Sequence, residues 1–336
     1  MEDREFLSRR EVLQRLALLT GATLVPWRVF GATAPTSTSD KLGSILPQRT
    51  LGKTGLKLTM LTVGGSHVAR APENMTQQLI ETAIESGIRT FDTAQLYQNG
   101  VSEERYGKFL TPKYREHVVL MTKTMAEDAA TAREHLEGSL RRMKTDYLDL
   151  WQLHDLRTID KADVRVPSVL DVMLKAKEQG KVRHIGFTGH GSYKTHLHVL
   201  KLTDQFETCL MPINIADPSY ESFTLNVMPV LLERNMGVMA MKTLAADGLM
   251  GGRRGTGVHV IPDRVSVHDA LRYVWSLPVA TLVSGMANLD HLKANVEFAR
   301  NFVAMSETDR KALIDRVADV GRTGEMERGF KGQTGS

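Results

Sequence analysis

Between Leu61 and Val303 eight short strand-like runs alternate with eight helix-like segments, which predicts a closed (β/α)8 barrel. Two other observations point the same way. The 336 residues suffice for one α/β domain of about 250 residues plus extensions. In addition, Asp92, Lys123 and His154 each end an apolar run, and parallel strands alternating with helices gather such ends at one face. A doubly wound open sheet is the architectural alternative.

The elements follow in order. Thr50–Gly52, a turn at Lys53–Gly55 and Leu56–Thr59 predict a small N-terminal hairpin ahead of the barrel. Leu61–Val63 is the first barrel strand, and Thr76 caps a helix over 77–86 that Gly87 ends. Strand Arg89–Asp92 precedes a helix near 103–110, strand Val118–Lys123 a helix near 131–144, and strand Leu148–His154 a helix over 168–179. Strand His184–Thr188, helix 195–202, strand Cys209–Asn214 and helix 223–234 continue the rhythm. Strand Val238–Lys242, helix 267–276, strand Ala280–Val283 and helix 290–303 complete it, with one extra C-terminal helix over 307–321. The barrel domain is therefore expected over 48–321, preceded by a Pro/Thr/Ser linker over 35–47 and followed by a flexible tail over 322–336.

Composition excludes several classes. A net charge of +4 from scattered basic residues, without aromatic interleaving, argues against a nucleic-acid partner. The single cysteine, Cys209, lies in an apolar run and reads as a core thiol; no intrachain disulfide or cysteine metal cage can form. His196 and His198 stand two apart on a helix and diverge, so no metal site is expected.

Residues 1–34 differ from the rest. Arg9-Arg10 precedes the moderately apolar stretch Leu16–Val25, then Pro26 and the small-residue cluster Gly31–Ala34. The stretch is short of the ~20 apolar residues that a membrane span needs. Its layout is that of a twin-arginine (Tat) export signal, which implies the Tat translocase as a partner and a periplasmic location, tethered if Pro35 blocks cleavage. An amphipathic helix packed on a cytoplasmic domain is the competing reading.

The chemistry resides in four residues. Lys123 at the end of an apolar strand calls for a carboxylate, because a buried unpaired ammonium is costly, and Asp92 on the neighbouring strand is placed to supply it. Tyr97 lies five residues beyond Asp92, and His154 ends the fourth strand. A free phenol titrates near ~10 and is a poor acid at neutral pH; an adjacent ammonium is expected to lower its pKa. Taken singly, these residues read as a turn former, a rim aromatic, a snorkelling lysine and a strand-end histidine. Together on strands two to four they read as a device that protonates a substrate oxygen.

The segments Phe91–Tyr97, Asp146–His154 and Gly180–Gly186 resemble the aldo/keto reductase superfamily, over about residues 48–305. The resemblance implies a TIM barrel binding NADP(H) or NAD(H), NADP slightly favoured, at its C-terminal mouth. Tyr97 is then the general acid, tuned by Lys123 and Asp92, with His154 orienting a small carbonyl substrate for hydride transfer. It also implies cofactor contacts at Gly65, Thr188, Met241, Lys242, Leu244, Gly285, Met286, Asn288 and Asn295. The chain departs from the family where Thr188-Gly189-His190 replaces a Ser-Asn pair, where Met241 replaces a stacking tyrosine, and where Asn288 stands for an arginine. The branch with the most similar last loop often carries an iron–sulfur cysteine cluster; with one cysteine, no cluster is expected here.

A cofactor-binding redox sensor or accessory subunit with little turnover is the alternative function. A sugar hydrolase would need two opposed carboxylates, and the strand ends offer only Asp92 clearly. Substrate-shaping loops are expected at 72–76, 157–166 and 218–223, and a mobile loop over the cofactor at 248–255.

Overall fold

The computed structural model describes residues 38–245, 259–260 and 264–332. Eight parallel strands form a closed barrel: β1 (Leu61–Gly64), β2 (Thr90–Asp92), β3 (Val119–Thr124), β4 (Leu148–Leu153), β5 (Val182–Thr188), β6 (Thr208–Pro212), β7 (Gly237–Met241) and β8 (Thr281–Ser284). Each pairs with its neighbour in sequence order, and β8 closes on β1 through the Leu282–Leu61 register. The helices are α1 (Glu73–Glu85), α2 (Val101–Phe109), α3 (Ala129–Met143), α4 (Ile159–Glu178), α5 (Tyr193–Leu202), α6 (Met228–Glu233), α7 (Val267–Trp275), α8 (Leu289–Arg300) and α9 (Glu307–Gly321). The predicted barrel and extra C-terminal helix are both present.

Alternation along the strands divides the apolar residues into two cores. Met121, Leu150, Leu210, Met239 and Ala280 point into the lumen, where Leu51 and Leu58 of the N-terminal hairpin plug its base. The larger core fills the layer between strands and helices, around Trp151, Phe187 and Trp275. The hairpin is fastened by Arg49, whose guanidinium donates to the carbonyls of Trp275, Leu277 and Val279 at 2.7–3.3 Å. Lumen residues near the strand starts are thus apolar. Those near the strand ends, Asp92, Lys123 and Gln152, are polar, and this contrast makes the C-terminal mouth the place for chemistry.

Several expectations need correction. Within the expected linker, 38–45 is a two-stranded ribbon, Thr38–Asp40 against Gly43–Ile45. It is ordered because both Asp40 carboxylate oxygens accept from Arg89, at 2.7 and 2.9 Å, while Leu46 is buried behind it. Residues 322–332 of the expected tail are turns packed on the barrel, with Glu327, Phe330 and Lys331 buried.

Helix α4 begins at Ile159 rather than 168, so most of the loop expected at 157–166 is helical. Thr158 caps it by accepting from the Lys161 N–H, and Pro167 is accommodated inside because the apolar face through Val166, Val169 and Met173 is buried. Likewise α1 starts at Glu73, and Thr76 donates to the Val68 carbonyl instead of capping. The helix expected over 223–234 is split into Phe223–Asn226 and α6, with Pro229 in the first turn of the second piece. The loop expected at 248–255 and the export signal expected at 1–34 lie outside the described residues.

Candidate active site

Asp92 ends β2, Lys123 lies one residue before the end of β3, and His154 follows β4 directly. Adjacent inward positions therefore place the three side chains side by side at the mouth. Tyr97 joins them from a turn in which its N–H donates to the Ala94 carbonyl and Gln98 and Asn99 take positive φ.

Lys123 Nζ donates to Asp92 Oδ2 at 2.7 Å, to the Thr93 carbonyl at 2.6 Å and to Tyr97 Oη at 3.5 Å. Both members of the ion pair are almost wholly buried, at 1% and 2% exposure. Burial alone would lower the Lys123 pKa, but the Asp92 carboxylate and the phenol outweigh it and the net shift is upward. The Lys123 ammonium is therefore retained at neutral pH.

The phenol behaves otherwise than its neighbour alone suggested. Burial raises the Tyr97 pKa, Lys123 lowers it, and the Asp92 charge raises it again, so the net shift is upward rather than downward. Burial is the largest of these effects and outweighs the stabilisation that the Lys123 ammonium offers the phenolate. Tyr97 thus stays protonated at neutral pH and holds a proton to give.

His154 packs edge-on against Tyr97, ring centroids 5.8 Å apart. Burial, then the positive charges of Lys123 and its other neighbours, push its pKa well below the usual range, so the ring is neutral. Its backbone is fixed from two sides: the N–H donates to the Thr124 carbonyl, and the carbonyl accepts from Arg165 at 2.9 Å. Arg165 also donates to the carbonyls of Ala126 and Thr124, tying the β3 and β4 exits together. The four-residue set expected from sequence is therefore one contiguous cluster.

The residues expected at a cofactor surround the same mouth in differing states. Thr188 is buried, and its Oγ1 accepts from the Asp155 N–H at 3.4 Å. Met241, Lys242 and Leu244 follow one another, half-buried, at the β7 exit, Lys242 with φ 56°. Gly285 is exposed beyond β8, and a Cβ there would lie 2.1 Å from the His67 ring. Met286 is buried. Asn295 Nδ2 donates to Ser284 Oγ at 3.1 Å, joining α8 to β8. Asn288 is the N-cap of α8, its side chain accepting from the His291 N–H at 2.9 Å, which gives it a structural task that sequence reading missed. Gly65 is buried where a Cβ would meet the Asp92 carbonyl at 2.6 Å, so packing alone accounts for its missing side chain.

Other mouth residues escaped sequence reading. Gln152, the register partner of Lys123, is fully buried, and neither amide atom has a hydrogen-bond partner among the described residues. The same holds for Asp92 Oδ1 and His154 Nδ1. Asp155, at φ 56°, has Oδ1 3.2 Å from His190 Nε2 and Oδ2 2.7 Å from Arg157 Nε. Unpartnered donors and acceptors beside the neutral phenol, with Lys242 across the mouth, fit a ligand bearing both amide and anionic groups. A nicotinamide dinucleotide is such a ligand, and Lys242 with the α8 N-terminus would hold its phosphates. The first signal of Asp155 was legible: an acid directly following His154.

Comparison with known proteins agrees with this architecture. The chain is 24% identical over 303 residues to the uncharacterized oxidoreductase YqkF of Bacillus subtilis, covering 79% of this chain and 95% of that protein. It is 28% identical over 212 residues to L-galactose dehydrogenase of Arabidopsis thaliana, covering 59% and 65% of the two chains. Among solved structures, the holo form of aldo-keto reductase AKR11C1 from Bacillus halodurans superposes with a TM-score of 0.68 at 24% identity, over 81% of this chain and 96% of that one. An aldo-keto reductase from Klebsiella pneumoniae in complex with NADPH gives 0.65 at 21% identity, over 80% and 94%; both likenesses show the shared barrel fold. Residues 60–267, well over half of the chain, match the aldo/keto reductase family model, and the chain belongs to that family of oxidoreductases.

Proposed function

We propose that the protein reduces an aldehyde or ketone to the alcohol, or runs the reverse reaction, using NADPH or NADH with Tyr97 as general acid. The observation that carries this reading is the buried Asp92–Lys123–Tyr97 contact series ending on a half-buried, protonated phenol beside neutral His154. A bound nicotinamide dinucleotide supplies the hydride. Tyr97 Oη gives its proton to the carbonyl oxygen as negative charge develops there. Lys123, kept cationic by Asp92, stabilises the resulting phenolate. His154 donates a hydrogen bond to the same oxygen and orients the carbonyl; being neutral, it does not compete as an acid.

The test is NAD(P)H oxidation over a panel of small aldehydes and ketones, with wild type against Tyr97→Phe. Turnover lost in the variant while dinucleotide binding persists supports the reading; equal turnover in both proteins removes Tyr97 from its role. Tight dinucleotide binding by wild type without turnover on the whole panel would instead favour a redox sensor.

Residues 1–34 we propose as a Tat export signal carrying the folded protein to the periplasm, on the strength of Arg9-Arg10 ahead of the apolar stretch. Cell fractionation decides it: native protein in the periplasm with bound dinucleotide is expected, and protein found only in cytosol with residues 1–34 intact refutes it.

A further inference from the structure

A second fully buried lysine lies outside the catalytic cluster. Lys331 Nζ is 2.7 Å from Asp217 Oδ1, 2.8 Å from Glu327 Oε2 and 2.9 Å from the Tyr220 carbonyl. The three charged side chains are at most 1% exposed. Glu327 Oε1 accepts from Asn214 Nδ2 at 2.8 Å, and the same nitrogen lies 3.3 Å from the Lys242 carbonyl. Asp217 also accepts from the N–H groups of Phe223 and Thr224 and from Ser222 Oγ. One cation and two carboxylates withdrawn from water are costly unless their geometry is complete. Here it is complete, and its product is a fixed path for residues 324–332 across the exits of β5, β6 and β7.

That path leads back to the site. The Gly332 N–H donates to the Gly191 carbonyl at 2.9 Å, and the Phe330 carbonyl lies 3.4 Å from His190 Nδ1. The Phe330 ring stands edge-on to His190 and 5.7 Å from Lys242 Nζ. On its other side His190 Nε2 faces Asp155, whose backbone follows His154 and whose N–H reaches Thr188. A continuous series of contacts therefore runs from Lys331 through Phe330 and His190 to the loop that carries His154.

We propose that Lys331 is a positioning residue for the active site: it latches the C-terminal segment over the β5–β7 exits, holds His190 in place, and thereby sets the affinity for the nicotinamide dinucleotide. The proposal rests on the reductase reading above and assigns a role to a segment beyond the family match, which ends at residue 267.

The experiment titrates full-length wild type, Lys331→Met, His190→Ala, the double variant and His190→Gln with NADPH and NADH by fluorescence, with kcat and KM measured in parallel. Lys331→Met and His190→Ala should each weaken binding about tenfold, with kcat changed by less than about threefold. Because both act through one contact series, the double variant should bind no more weakly than the worse single variant. His190→Gln, whose amide NH2 can still donate to Asp155, should bind more tightly than His190→Ala. If Lys331→Met does not fold, a chain ending at Thr323 replaces it with the same expectation. Variants that fold and bind within about twofold of wild type, or single effects that simply add, overturn the proposal and leave the reductase reading standing. A wild type that binds neither dinucleotide overturns both.

Discussion

Two lysines, Lys123 and Lys331, are equally buried and both ion-paired, yet only one is placed for chemistry. Lys123 has a single carboxylate partner, and its weakest contact, 3.5 Å, is the half-buried phenol of Tyr97. Lys331 has two carboxylates and a carbonyl, all between 2.7 and 2.9 Å, and the carboxylates are further satisfied by amides and a hydroxyl. A buried ion pair with an incomplete shell lends its field to whatever group approaches; one with a complete shell only fixes geometry. The two regions show a single costly device put to opposite uses.

The comparison breaks most sharply at Tyr97. Tyr97→Phe should lower kcat by about 10²- to 10⁴-fold with dinucleotide affinity preserved, as steady-state kinetics and binding titration will show. Next comes Lys123→Met, which strands Asp92 in the lumen; denaturant melts should record a loss of about 3–5 kcal/mol together with lost turnover.

Glu327 offers a smaller and opposite effect. Burial, and then the Asp217 charge, raise its pKa above the ordinary glutamate value although Lys331 works to lower it. The folded state therefore binds this proton more tightly than the unfolded chain. The stability it contributes is fully present below the unfolded pKa of about 4.5 and falls as pH rises through the folded value. Thermal melts of wild type and Glu327→Gln should diverge in favour of the variant over that window and run parallel above it. A constant difference across pH would show that Glu327 is ionised alike in both states.

The smallest effect is an expected flatness. With His154 held neutral by burial and nearby cations, the kcat profile should show no step from this ring near pH ~6.5. A step that vanishes in His154→Gln would contradict the neutral assignment.

The two regions were also unequally legible. Asp92, Lys123 and His154 could be found because each sits at the end of its own apolar run, so local pattern and barrel closure suffice to bring them together. Lys331 could not, because Asp217 lies 114 residues away and the surrounding Gly-rich text reads as solvated tail. The start of α4 was hidden by Pro167, which normally opens a helix; only the burial of Val166 and Arg165 shows that the pattern extends upstream. The Tyr97 shift differs from the sequence expectation for another reason: the sequence reveals the ammonium and the carboxylate but not the burial of the phenol, which outweighs the Lys123 charge.

Arg165 has a consequence for engineering. One guanidinium grips carbonyls on both the β3 and β4 exits, and α4 starts at Ile159, leaving residues 154–158 as a short connection. This rim of the mouth resembles a welded joint more than a loop, and grafted or lengthened sequence there would pull His154 out of register with Tyr97. Attempts to widen the substrate range should leave this joint intact and recast the rim elsewhere.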